Sequence, residues 1–299
     1  MNTKNIKRSW DDRIFDWVCN SLLLLFVIVV AYPLWFVLMA SFSDPVYVNN
    51  GTFLIYPRGF TLDGYQMVFE DARIWRGYLN TIIYTVCGTT LGVMVVMLAG
   101  YAFSRKDLVG GPTVMKLFVF TMYFSGGTIP LYLVIQKLNL LDTRFLMIVL
   151  GSVSVYNIIV VRSFMVSNIP DELHDAATID GCGNGKFFFQ IVLPLSKAVA
   201  AVMVLYIAVG YWNSYFNAMM YMSDGSKHPL QVYLRDVLVM SSSMAGNLDL
   251  DPEERMRLEQ MTMIIKYAII VVATGPILCV YPFVQKYFVK GVMIGSVKG

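Results

Sequence analysis

The chain has 299 residues, of which 57% are hydrophobic and only 14% are charged, and its formal net charge is +3. Soluble domains carry about 25% charged residues, so this composition, with a mean hydropathy of +0.60, excludes an ordinary soluble protein. The four cysteines are isolated and there are only two histidines, which predicts neither a disulfide framework nor a metal site. The composition is typical of a polytopic membrane protein.

Six uncharged apolar runs are long enough to cross a hydrocarbon core of about 30 Å. In chain order they are Val18 to Ala40, Gly77 to Ser104, Leu117 to Gln136, Phe145 to Val161, Ala198 to Ser223 and Tyr267 to Gln285. Continuous apolarity predicts helices, because the strands of a membrane barrel alternate in polarity. The first run follows several basic residues but is longer than a signal peptide, so we expect an uncleaved helix. The expected fold class is an all-α membrane protein with six transmembrane helices.

Basic residues predict the orientation of these spans. The N-terminus, Arg105 and Lys106, the loop with Lys186 and Lys197, and the C-terminal tail fall on one side. Because Lys and Arg concentrate in cytoplasmic loops, we expect a multi-pass protein of the cell membrane with both termini in the cytoplasm. The expected segments are a cytoplasmic N-terminus (1–17), a transmembrane domain (18–285) with an inner loop at 162–197, and a cytoplasmic tail (286–299).

The inner loop is polar and contains a predicted short helix. Pro170, Asp171 and Glu172 are favoured in a first helical turn, and Gly181 supplies a stop. Between them, mostly small side chains share one helical stripe, namely Leu173, Ala176, Ala177 and Asp180. Such a stripe permits close approach of another backbone, so we expect the helix to dock on a cytoplasmic partner. The alternative is a surface helix that covers its own bundle.

A sequence pattern in this loop carries a family resemblance. It comprises the triplet Asp175-Ala176-Ala177, then Gly181, and a closing stretch with Ile191, Leu193 and Pro194. The pattern resembles the cytoplasmic coupling loop of ABC importer permeases, in which the triplet is usually Glu-Ala-Ala. Two positions depart from it, because Asp175 shortens the acid by one methylene and Ala198 stands where a second proline is common. The resemblance implies a type I importer fold with a coupling helix that docks on an ATPase, and with Asp175 facing a basic group.

Two further stretches resemble carbohydrate-uptake permeases of the maltose type. The end of the chain is similar to a tail that reaches into the ATPase dimer, which implies ATPase contacts by Lys286, Lys290 and Gly291. The alternative is a basic tail attracted to anionic lipid, at about 1 kcal/mol per lysine. The stretch from Phe124 to Pro130 is similar to a branch that serves longer oligosaccharides, and it also fits a simple kink between packed helices.

The resemblance implies a permease subunit of an ATP-driven importer for a carbohydrate, expected to be an oligosaccharide. The implied partners are a second permease subunit, two ATPase subunits, an extracytoplasmic solute-binding protein and membrane lipid, without nucleic acid. ATP and magnesium would be bound by the ATPase subunits, so no cofactor is expected in this chain. The stretch from Gly181 to Lys186 is only faintly like a phosphate-binding loop, because Asp180 replaces its first glycine and Phe187 its Ser or Thr.

Polar and aromatic side chains inside the spans are candidates for the substrate path, because an unpaired polar group in hydrocarbon is costly and usually faces a cavity. Their types suit stacking on sugar rings and hydrogen bonding to hydroxyls, and the members are Trp212, Asn213, Tyr215, Asn217, Tyr156 and Asn157. Asn213 and Asn217, four residues apart, are expected to share a helix face. An interfacial aromatic belt is the alternative for the fifth span.

Two other classes of function are less favoured by the residues. A secondary transporter driven by an ion gradient usually buries ionisable residues in mid-membrane, and the six runs contain no Asp, Glu, Lys, Arg or His. An integral membrane enzyme would need a constellation of carboxylate, histidine or cysteine side chains within the spans, and none is present. We therefore expect a transport subunit that is not itself an enzyme.

Overall fold

The computed structural model of the protein describes residues 9–49, 54–244, 251, 253, 260–279 and 282. Every regular element in these residues is helical, which confirms the expected all-α class. Contacts divide the chain into two compact units. One takes the described residues of 1–70 and 237–272, and the other takes those of 71–236 and 273–299.

The helices follow one another along the chain with short connections. They are α1 (Trp10–Ala40), α2 (Pro45–Asn49), α3 (Asp63–Glu70), α4 (Ala72–Ser104), α5 (Gly111–Tyr123), α6 (Thr128–Lys137), α7 (Arg144–Val149), α8 (Val155–Asn168), α9 (Asp171–Ile179), α10 (Asn184–Phe187), α11 (Leu193–Leu195), α12 (Lys197–Trp212), α13 (Phe216–Tyr221), α14 (Leu230–Met244) and α15 (Gln260–Cys279). A π-helical turn at Phe188–Val192 joins α10 to α11, and a 3-10 turn lies at Gly225–Lys227.

Three of these helices, α1, α4 and α15, are long and apolar enough to cross a membrane. Two bent pairs satisfy the same test together: α5 with α6, at 115°, and residues 184–195 with α12, at 81°. If each pair is one span, the part of the chain that the structure describes has up to five spans. The three long helices begin before the predicted starts at Val18, Gly77 and Tyr267, because a helix continues past the end of its apolar window.

The predicted third, fourth and fifth runs are interrupted rather than continuous. The third breaks between α5 and α6, where Gly127 has a φ of +85° that favours glycine. The fourth is divided into α7 and α8 by residues 150–154, and the fifth ends as α12 at Trp212 and resumes as α13 at Phe216. These interruptions contain no charged residue, so hydropathy alone does not reveal them.

Helix α4 forms the centre of the second unit, where it packs most extensively against α12 and α8. A Cβ placed on Gly88 would lie 2.2 Å from the ring of Tyr211, and one on Gly92 would lie 2.3 Å from the backbone oxygen of Ser152. Both distances are shorter than any van der Waals contact, so this GxxxG pair is a packing site, as small residues often are between membrane helices.

The first unit is built on the C-terminal end of α1. Most of α1 is apolar and exposed, as expected of a helix surrounded by lipid. Its last turn packs into a small core, where the ring of Phe36 meets the ring of Tyr267 edge-on with centroids 6.0 Å apart.

Candidate functional site

The predicted inner-loop helix is present as α9, and both of its ends have a local physical cause. Pro170 precedes the first turn, and Asp171 and Glu172 place negative charge at the positive end of the helix dipole. At the other end Gly181 has a φ of +72°. Its N–H donates to the Thr178 oxygen (3.0 Å), and the Cys182 N–H donates to the Ala177 oxygen (2.8 Å). This is a Schellman motif, so the expected stop at Gly181 is confirmed.

One face of α9 is buried against the rest of the second unit. Leu173 and Ala177 pack into a core formed with Phe187 of α10 and Met165 of α8. This placement corrects part of the predicted docking stripe, because Ala177 is only 7% exposed and packs within its own chain. The reason is geometric: residues four apart lie on the same side of a helix, and the bundle occupies that side.

The opposite face of α9 is open. The side chain of Asp175 is 77% exposed, Ala176 is exposed, and Ile179 is 87% exposed. Asp175 and Ile179 are four residues apart, so a carboxylate and a branched apolar side chain are neighbours on this face. Sequence reasoning missed Ile179. The available signal was that Ile179 is an apolar residue outside the stripe that contains Leu173 and Ala177.

His174 fixes α9 to the end of α4. An Arg105 Nη2–H donates to its Nδ1 (3.0 Å), which makes Nε2 the protonated nitrogen that donates to Asn184 Oδ1 (3.3 Å). The Phe187 ring packs against the imidazole of His174 in an edge-to-face arrangement, with centroids 5.0 Å apart. The first turn of α9 is held in addition by Lys106, whose Nζ lies 2.6 Å from the carboxylate of Asp171.

Electrostatic attraction maintains these contacts at neutral pH. The hydrogen bond from Lys106 holds the pKa of Asp171 below its usual value. The hydrogen bond from Arg105 does the same for the pKa of Asp107. Both carboxylates are therefore ionised under physiological conditions, and α9 is attached to the residues that directly follow α4.

The closing stretch of the predicted coupling loop is partly packed against the core and partly exposed. Ile191 and Leu193 are half-buried and pack against the same core as Ala177. Pro194 is exposed and lies just before the 81° bend that leads into α12. The exposed members of the predicted coupling set are therefore Asp175, Ala176, Gly181 and Pro194.

The structure does not bring the predicted substrate-path residues together on one helix face. Trp212 ends α12, and its indole N–H donates to the Ala273 oxygen at 3.0 Å. The Asn213 side chain donates to the Val209 oxygen at 3.0 Å, and this residue follows the end of the helix. Asn217 lies in the separate helix α13, so the expectation that Asn213 and Asn217 share a face is wrong.

The remaining candidates differ in accessibility. Tyr156 and Tyr215 are exposed, whereas Asn157 is buried at 8% exposure. Because Tyr156 and Asn157 are consecutive in α8, they point about 100° apart around the helix. The predicted tail contacts Lys286, Lys290 and Gly291 lie outside the described residues.

Comparisons with known proteins agree with this arrangement. No protein-family profile matches the chain. The polygalacturonan/rhamnogalacturonan transport system permease protein YtcP of Bacillus subtilis is 41% identical over 288 residues, which cover 96% of this chain and 99% of that protein. The chain belongs to the permease subunits of ABC sugar importers. Protein LplC of Bacillus subtilis is 40% identical over 293 residues, 96% of each protein.

A solved structure shows the same permease fold. A chain in the crystal structure of a bacterial ABC transporter involved in the import of the acidic polysaccharide alginate matches this permease with a TM-score of 0.83 and 32% identity. The match covers 95% of this chain and 100% of that chain. Family membership decides against the secondary transporter and the membrane enzyme. As a component of an ABC import system, the permease works with an ATPase and a binding protein.

Sequence reasoning missed a buried polar network around Asn80, in the N-terminal half of α4. Asn80, only 1% exposed, donates to the backbone oxygens of Ser226 (2.8 Å) and His228 (3.1 Å) and accepts from Arg144 (3.2 Å). An amide inside an apolar run was the signal that could have found it. The permease uses this network to attach the 225–228 turn to α4.

Proposed function

We propose that this permease is one of two permease subunits of an importer with two ATPase subunits. It has six transmembrane spans and both termini in the cytoplasm, and it moves an oligosaccharide from an extracytoplasmic binding protein. ATP and magnesium are held by the ATPase subunits and not by this chain. The excess of Lys and Arg on the side that carries α9 supports this orientation.

The observation that carries the mechanism is that one face of α9 is buried and the opposite face is exposed. One face packs through Leu173 and Ala177 into its own unit, while Asp175 and Ile179 remain accessible. A helix attached in this way moves as one body with the unit. In the proposed cycle an ATPase groove receives the exposed face, and closure of the ATPase dimer displaces α9 and switches the cavity between the two sides of the membrane.

The proposed cargo is an oligosaccharide that contains uronic acids. YtcP is named for polygalacturonan and rhamnogalacturonan, and the solved importer is described for the acidic polysaccharide alginate. The proposed path is lined by Trp212, Asn213, Tyr215, Asn217, Tyr156 and Asn157. Aromatic faces and amide groups of this kind bind sugar rings and hydroxyls.

The test is extraction of the full chain in a mild detergent, followed by mass spectrometry of the bound proteins and an ATPase assay. We expect an ATPase and a second permease to remain bound, with hydrolysis stimulated by a sugar-loaded binding protein. Ile179→Asp should weaken retention of the ATPase, because it replaces an exposed apolar side chain of the docking face with a charge that docking would have to desolvate. Val109→Asp is the matched control, since Val109 is also a largely exposed branched apolar residue and lies outside α9. A folded chain that never retains an ATPase would refute the proposal.

A further inference from the structure

The second unit contains a cavity of about 360 Å³ at the N-terminal end of α4. This is the end of the helix opposite to the one that contacts α9. The cavity lies between the first turns of α4, the 225–229 segment and the start of α14, and its lining includes Arg73, Arg76 and His228. Gly77 permits this close arrangement, because a Cβ there would lie 3.1 Å from the backbone of Leu230. The wall is therefore formed by fixed backbone, with two arginines that project from one helix.

Arg73 is already neutralised by a neighbouring carboxylate. Its Nε and Nη2 donate to Asp71 at 3.0 and 2.7 Å, and the Tyr233 hydroxyl donates to the same carboxylate at 2.8 Å. The Arg73 guanidinium also lies over the Tyr233 ring, 4.8 Å from its centroid. Hydrogen bonding from Arg73 lowers the pKa of Asp71 to about 2, so this pair stays ionised and internally balanced.

The other charged groups at the cavity leave one cation without a counter-charge. Asp236 is paired with Arg235 at 3.3 Å, and the Nε2–H of His228 donates to the Met222 oxygen at 3.3 Å. Arg76 follows Arg73 by one helical turn and lines the same cavity. Within the described residues no ion pair or hydrogen bond joins its guanidinium to another group.

We propose that this cavity is a recruitment site for the carboxylate of an acidic sugar, with the Arg76 guanidinium as its partner. The proposal rests on the proposed function, because it requires a uronate-containing cargo. Arginine presents a planar fork of N–H donors that matches a carboxylate in two parallel hydrogen bonds. The charged side chains beside Arg76 would neither attract nor repel this carboxylate strongly, since Arg73 is paired with Asp71 and Asp236 with Arg235. A carboxylate held here would neutralise Arg76, which has no counter-charge among the described residues.

The test compares an acidic sugar with its neutral counterpart in the complete reconstituted importer. Vesicles of phosphatidylcholine and phosphatidylethanolamine remove anionic lipid as a competing partner for Arg76. Uptake of trigalacturonate and of its methyl ester is measured for the wild type, for Arg76→Gln and for Arg58→Gln. Arg58→Gln is the matched control, because it removes the same charge at a residue outside the cavity.

We expect Arg76→Gln to reduce trigalacturonate uptake about tenfold at low sugar concentration, the size of one hydrogen-bonded charge pair. Uptake of the methyl ester and the effect of Arg58→Gln should stay near wild type. The tenfold difference should narrow as salt is raised, because Arg76 is exposed and its field is screened. Equal losses for both sugars, or wild-type uptake of trigalacturonate by Arg76→Gln, would overturn the carboxylate site alone. Failure of the wild-type importer to move trigalacturonate at all would overturn the proposed cargo as well.

Discussion

Gly181 permits a graded test of the proposal that α9 transmits motion. Its φ of +72° lies in the left-handed region, and a Cβ placed there meets nothing within 4 Å. Substitution therefore costs backbone strain and no steric clash. Asparagine tolerates this region best after glycine. Alanine costs about 1 to 2 kcal/mol, close to a tenfold shift in the population of the capped helix end, and a β-branched valine about 3 kcal/mol.

The assay is ATPase activity of the reconstituted importer with and without sugar-loaded binding protein. We expect the ratio of stimulated to basal activity to fall in the order Gly181, Asn, Ala, Val, because each step loosens the end of α9 that carries Ile179. Thermal unfolding of the extracted permease is the control, and the loss of stability should not exceed the local backbone strain of each variant, since the exposed Gly181 has no neighbour within 4 Å of an added Cβ. Wild-type stimulation of the Gly181→Val importer, or an asparagine variant as defective as valine, would refute the backbone argument.

Three further outcomes are expected. Gly92→Ala should lower the thermal stability of the extracted permease by about 1 to 3 kcal/mol, because its Cβ would meet the rigid Ser152 carbonyl at 2.3 Å. Gly210→Ala, where nothing lies within 4 Å, should not lower it, and equal melting of both variants would contradict the packing argument. Asp175→Ala should leave stability within about 0.5 kcal/mol but lose sugar-stimulated hydrolysis, and normal uptake would remove Asp175 from the docking face. The pKa of Asp71 is lowered in the folded state to about 2, so the stabilising contribution of its carboxylate is complete above the ordinary aspartate pKa of 3.8 and is lost as the pH falls toward 2. In melting temperatures measured over a series of pH values, Asp71→Asn should abolish this loss of stability at low pH. An unchanged pH profile would count against the pair of Asp71 and Arg73.

The candidate site was predictable where local chemistry controls the backbone. An α-helix that starts after Pro170 and stops at Gly181 requires only residues within that segment, so the sequence was sufficient. The buried face of α9 was not predictable in the same way. Its environment comes from Phe187 and Met165 and from the Arg105 contact with His174, which is 69 residues away along the chain.

The arrangement of the predicted substrate-path residues was the least predictable part of the structure. A spacing of four residues predicts one shared face for Asn213 and Asn217 only in a continuous helix, and an uncharged interruption leaves no trace in a hydropathy window. The Asn80 network was also missed, although its amide lies inside an apolar run where a polar group needs a partner. The partner is backbone of the 225–228 turn, about 145 residues further along the chain.

Composition and local pattern alone determined that this permease is an all-helical membrane protein with a short, capped helix between Pro170 and Gly181, because hydrophobicity and capping act over one span or one turn. Only the tertiary structure decided which side of α9 is open, where the spans break and that Arg73, but not Arg76, is paired among the described residues at the cavity. Burial and charge pairing depend on residues that meet through folding, and their distance along the chain carries no signal in the sequence of a single protein.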